Sequence, residues 1–183
     1  MQGTEPARVW TTKDKIAEGN RLKDEGNQFV KSGELKKALK SYKTVFLYIN
    51  GLISKENQAM AKFAGNGIIN DQDDLAIKEL KTNTHSNIAL CYSKLGQLDK
   101  VVDHCNRALE VNPNHVKSLI RLGGTQTLLG KVDLAKIALL KAYELDSQNE
   151  SVQKELKLLK LANEKAIALQ REKEKKAFGG KFL

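Results

Sequence analysis

Small, apolar and polar residues return at fixed positions along this chain. Displacing the sequence by 34 residues sets Leu95-Gly96 on Leu129-Gly130, Leu98-Asp99 on Val132-Asp133 and Ala108 on Ala142. Blocks 82–115 and 116–149 therefore share one template. A displacement of 63 sets Gly26 on Ala89, Phe29 on Tyr92, Gly33 on Gly96 and Ala38-Leu39 on Val101-Val102, which defines a first block at 19–52 and an insertion at 53–81. Each block has a small residue where two helices must approach (Gly26, Ala89, Gly123) and a second small or short apolar one later (Ala38, Val101, Ala135). This is the pattern of a helix–turn–helix unit that cannot bury its apolar face alone and stacks on its neighbours. Gly124 has no such explanation in the sequence.

The elements follow. Thr12 is expected to cap a first helix that runs to Ser32 and stops at Gly33 in a left-handed conformation. Its partner is expected over 35–54. The run AGNGIINDQDD within the insertion favours a turn, read as a mobile loop leading into a third helix that begins near Asp74. Two more pairs break at Gly96, Asn112-Pro113 and Gly130. The expectation is an all-α solenoid of three helix–turn–helix repeats over 12–149, preceded by a flexible segment 1–11 and followed by a long capping helix 150–177 and a tail 178–183. On the capping helix Val152, Leu156, Leu159 and Ala162 cover the exposed face of the third repeat.

Composition narrows the class. Aromatics are 5% and only two prolines are present, a helix-forming mixture. Two cysteines, Cys91 and Cys105, do not make a disulfide framework, and with the three scattered histidines they give no metal spacing. No segment reaches the ~20 apolar residues of a membrane span, and no export signal is read at the start, so a cytoplasmic location, with a nuclear one second, is expected. The formal charge is +9, and residues 151–183 hold nine Lys/Arg against four Asp/Glu, more than half of that excess. No nucleic-acid motif accompanies the lysines, so a solvated helix face is the plainer reading. No cofactor is implied, and a monomer is expected.

The first helix of each pair carries the candidate chemistry. Lys23 and Asn27 are four apart and so share a helix face, as do Lys117 and Arg121 in the third block. Asn87 occupies in the second block the position of Arg121. Stacking brings two ammonium groups, one guanidinium and two amides toward one concavity, with no carboxylate among them. Arg forks onto a carboxylate, Lys adds a point charge, and the amides donate without adding charge. A chain-terminal acidic residue, with two carboxylates close together, matches that demand.

The blocks resemble the tetratricopeptide repeat (TPR), with Pro113 at that family's end-of-repeat proline and Asn50 and Ser147 in its place in the other two blocks. The five polar residues look like the two-carboxylate clamp of TPR co-chaperones. This resemblance implies binding of the C-terminal Glu-Glu-Val-Asp of Hsp90 or Hsp70 by Lys23, Asn27, Asn87, Lys117 and Arg121, with Val30 beside the ligand's valine and Lys94 meeting groups upstream. Trp10, KALKSYKTVF, CNRALEVNPNHVKSLIRLG and REKEKKAFGG are similar to the C-terminal half of large FK506-binding-class immunophilins. In that family an isomerase domain precedes this region, so the chain is expected to be a non-catalytic fragment or stand-alone relative. The resemblance also implies a calmodulin target in the basic last helix, although Phe178-Gly179-Gly180-Lys181-Phe182 is richer in glycine than the family's segment. The alternative is a scaffold that binds another protein through its convex surface or tail.

Overall fold

A computed structural model of the chain describes residues 10–50, 52 and 69–179, the side chains of 178 and 179 excepted. The expected mobile loop and the end of the tail lie largely or wholly outside these residues, as does the flexible segment up to residue 9. The described residues form helices α1 (Thr12–Lys31), α2 (Leu35–Ile49), α3 (Asp71–Lys94), α4 (Leu98–Val111), α5 (Val116–Leu128), α6 (Val132–Leu145) and α7 (Glu150–Gly179), with no strand among them. None of these is long and apolar enough to cross a membrane. The chain divides into two compact units, Met1–Cys91 and Tyr92–Leu183.

In the first unit α1 and α2 form an antiparallel pair. The cap of α1 is Thr11, not Thr12, because a capping box closes there: the Asp14 N–H donates to Thr11 Oγ1 at 3.1 Å and the Thr11 N–H donates to the Asp14 carboxylate at 3.0 Å. The helix stops where Gly33 takes φ +79°, and Gly96 (φ +69°) and Gly130 (φ +71°) end the corresponding helices the same way. The second helix is shorter than expected and ends at Ile49, with the Asn50 N–H on the Phe46 carbonyl. Conversely, α3 begins at Asp71, inside the inserted stretch, where Asn70 Oδ1 accepts from the Asp73 N–H at 2.8 Å. The core holds Leu22, Val45, Ile49 and Leu52 against Ile77 and Leu80.

The close approach of α1 and α2 is set at Gly26. A Cβ there would lie 2.7 Å from Cδ1 and 2.9 Å from Cζ of Tyr42, whose ring is 1% exposed and has nowhere to move. Gly26→Ala gains up to about 1 kcal/mol of helix propensity. Overpacking a closed site costs typically ~1–3 kcal/mol. Net destabilisation is therefore the expected result of this substitution in a urea denaturation series, and an unchanged or raised midpoint would contradict the packing described.

In the second unit, α4 through α7 pack in succession. The turn between α4 and α5 is set by Pro113: Asn112 before it is extended (φ −134°, ψ 95°), and its side-chain oxygen accepts from the Asn114 N–H at 3.0 Å. Leu119, Ala142 and Val152 form one buried cluster and Ala135, Leu139 and Leu159 another, with Leu156 against both. Burial of Val152 and Leu159 makes α7 a cap on the α5–α6 pair.

Candidate peptide-binding site

On α1 the one-turn spacing places Lys23 and Asn27 together, and the space left by Gly26 decides how Asn27 is held. Through it the Tyr42 ring reaches across, and its hydroxyl donates to Asn27 Oδ1 at 2.7 Å. From α3, Asn87 Nδ2 donates to the same oxygen at 2.9 Å. The Asn27 oxygen is thus occupied by two donors, which turns its amino group outward, where it meets the exposed Asp24 carboxylate at 3.3 Å. Burial drives the Tyr42 phenol far above its usual range, so it stays protonated and keeps donating. Lys23, with 22% of its side chain exposed, donates to Asn20 Oδ1 at 3.1 Å and lies 3.7 Å from Asp24. Val30 is partly buried on the same helix.

The second unit carries Lys94, Lys117 and Arg121. Lys94 is the exposed last residue of α3, Lys117 is exposed, and Arg121 is partly buried one turn along α5. The Arg121 carbonyl accepts from the Thr125 hydroxyl at 2.7 Å. At the start of α5, His115 Nδ1 and Ser118 Oγ are 2.9 Å apart. Burial, with Lys117 and Arg121 adding to it, holds the imidazole below its usual 6.5. Burial likewise pushes the Cys105 thiol up to about 12, against a smaller opposing effect of Arg121, leaving a small buried hydrophobe and no nucleophile. No group of His, Cys, Asp and Glu among the described residues could hold a metal.

Lys23, Asn27 and Asn87 are thus grouped in the first unit, and Lys117 and Arg121 in the second. Together they offer hydrogen-bond donors and positive charge, with the Asp24 carboxylate beside Lys23 and Asn27, a set whose chemistry suits an anion. Sequence reasoning missed Tyr42, which orients Asn27, and Asp24, which faces both Lys23 and Asn27. A polar tip four residues after the small position at Ala38 was the available sign of the first; adjacency to Lys23 was that of the second.

Comparison with known proteins bears on the repeats. Models of the tetratricopeptide repeat match residues 82–115 and 116–149. The chain is 25% identical over 169 residues to the peptidyl-prolyl cis-trans isomerase FKBP4 of Mus musculus, covering 92% of this chain and 33% of that protein. It is 28% identical over 171 residues to FKBP42 of Arabidopsis thaliana, covering 93% and 44%. It therefore spans a third to under a half of the curated relatives it matches, and their isomerase domain is not covered. Among solved structures, the C-terminal TPR-containing domain of a putative FK506-binding protein of Plasmodium falciparum superposes with a TM-score of 0.70 at 23% identity, covering 88% of this chain and 97% of that one. The first TPR of Spaghetti (RPAP3), bound to the HSP90 peptide SRMEEVD, gives 0.62 at 20%, covering 80% and 96%. The second TPR domain of human RPAP3, in complex with the HSP70 peptide SGPTIEEVD, gives 0.58 at 19%, covering 81% and 98%. The chain thus carries tetratricopeptide repeats over 82–149 and is homologous to the C-terminal TPR region of FKBP4 and FKBP42.

Proposed function

We propose that this chain is a co-chaperone adaptor that binds the acidic C-terminus of a cytosolic chaperone of the Hsp90 or Hsp70 class through Lys23, Asn27, Asn87, Lys117 and Arg121. The observation that carries the reading is the fixed amide of Asn27, whose oxygen is filled by Tyr42 and Asn87 so that its amino group is left to donate to a carboxylate, here that of the exposed Asp24. A donor locked in place before binding loses little freedom when a carboxylate arrives. The RPAP3 domains whose fold it shares are bound to peptides ending in Glu-Glu-Val-Asp, which supports this ligand chemistry. Steering by the cations and charge-assisted hydrogen bonds at the terminus would give affinities of order micromolar, about −8 kcal/mol.

His115 offers a direct test. Its imidazole is held down by burial and then by Lys117 and Arg121, so carboxylates that neutralise those two cations raise its pKa. Titrated by NMR with and without the free-acid peptide Glu-Glu-Val-Asp, His115 is expected to titrate below 6.5 alone and to shift upward when bound. The C-terminally amidated peptide should produce a much smaller shift. An unmoved His115 at saturating free-acid peptide would remove Lys117 and Arg121 from the site.

A further inference from the structure

The outer face of α2 carries a straight basic stripe. Lys36, Lys40, Lys43 and Leu47 fall within about 60° of the helix circumference at 3.6 residues per turn. All four are exposed, Leu47 by 82%, and with Leu39 and Thr44 they line an open groove of about 490 Å³. Tyr42, which reaches Asn27, leaves α2 about 140° from the stripe, so the stripe faces away from the clamp residues of α1. The acidic groups beside it are engaged by other cations: Arg21 holds Glu25 at 3.1 Å and Glu18 at 2.7 Å, and Lys37 pairs with Glu34. Among the described residues Lys36 and Lys40 form no ion pair. The repeat does not require these cations. At the same template positions the second repeat has Asp99, Asp103, Asn106 and Glu110, and the third has Asp133, Ile137, Leu140 and Glu144. Where the stripe ends, Tyr48 follows Leu47, and its ring centroid lies 5.3 Å from that of Trp10, which is 37% exposed.

We propose that this stripe is a docking surface for an anionic phospholipid membrane, with the three lysines over the headgroups and Leu47 and Trp10 in the interfacial layer. The stripe is an open ridge of lysines with no guanidinium among them. Ammonium groups on flexible stems act as point charges and impose little geometry, which suits a diffuse sheet of anions better than one positioned carboxylate. The exposed leucine and aromatic pair at its end need an apolar layer just beneath the charge. A bilayer interface supplies both, and Trp and Tyr favour that depth. The opposite side of α2 is held in the core by Ala38, Val45 and Ile49, so the helix lies on the membrane and does not enter it. Because the clamp residues take no part, this surface is independent of peptide binding.

Cosedimentation and tryptophan fluorescence with the full chain test this. Vesicles of phosphatidylcholine, alone or with about a third phosphatidylserine, are titrated into the protein at about 0.15 M salt. Wild type should bind only the anionic vesicles, and its emission should shift to the blue, a signal from one place because Trp10 is the single tryptophan. A lysine near an anionic surface is worth about fivefold in affinity, so Lys36→Ala/Lys40→Ala/Lys43→Ala should weaken vesicle binding about a hundredfold and lose the shift. Alanine favours the helix, and an unchanged circular dichroism spectrum excludes loss of fold as the cause. Alanine at Lys173, Lys175 and Lys176 of α7 removes the same charge elsewhere and should leave the shift in place. Wild-type vesicle affinity in the stripe variant, or equal binding of both kinds of vesicle by wild type, overturns the proposal. So does displacement of the vesicles by saturating Glu-Glu-Val-Asp peptide, which would put them on the clamp. Binding of poly-glutamate without binding of vesicles also overturns it and gives the stripe to an acidic protein.

Discussion

Arg121→Ala is expected to eliminate detectable binding of a free-acid Glu-Glu-Val-Asp peptide. Truncating one partner of a charged, hydrogen-bonded pair at an interface costs about 2–5 kcal/mol. Taken from a starting affinity near −8 kcal/mol, that loss moves the complex from micromolar toward millimolar or weaker. Arg121→Lys should recover only part of it, since an ammonium keeps the charge and loses the planar fork. The decisive comparison is calorimetric, with circular dichroism showing that the helices are retained. Full affinity in the folded Arg121→Ala variant would sink the clamp assignment.

Tyr42→Ala carries the largest expected cost to stability. The side chain is 1% exposed, and its ring fills the space left beside Gly26. Deleting a buried aromatic side chain of this size costs typically about 3–5 kcal/mol. In the first unit there is a second consequence, because the hydroxyl holds the Asn27 oxygen at 2.7 Å. Tyr42→Phe separates the two effects. It keeps the ring, should lose about 1 kcal/mol of stability for one hydrogen bond, and should weaken peptide binding because Asn27 is then held by Asn87 alone. A Tyr42→Phe variant with unaltered affinity would show that the hydroxyl does not position Asn27.

The turns at Gly33, Gly96 and Gly130 were legible in the sequence because a left-handed residue after a helix is almost a glycine monopoly, a local rule that needs no knowledge of partners. Helix ends decided by competition between neighbours were less so. Thr11 and Thr12 are equally good caps in isolation, and the reciprocal bond with Asp14 selects Thr11. At the end of α2, Leu52 continues the apolar run and invites a longer helix, but Asn50-Gly51 is a poor helical pair, and Leu52 is buried without being helical. Of the candidate site, the one-turn spacing of Lys23 with Asn27 and of Lys117 with Arg121 was readable from periodicity. The tie between Tyr42 and Asn27 spans fifteen residues, and the contact of Gly124 with Glu155 thirty-one; neither follows any period along the chain. Such contacts exist only after the helices have met.

The last helix has two faces that answer to different requirements. Val152, Leu156 and Leu159 point into the cluster beneath them, while Glu155, Leu158 and Leu161 line an open groove between α5 and α7. Substitutions on the second set leave the first untouched, so descendants of this chain could change the lining of this groove one residue at a time, without passing through an unfolded ancestor.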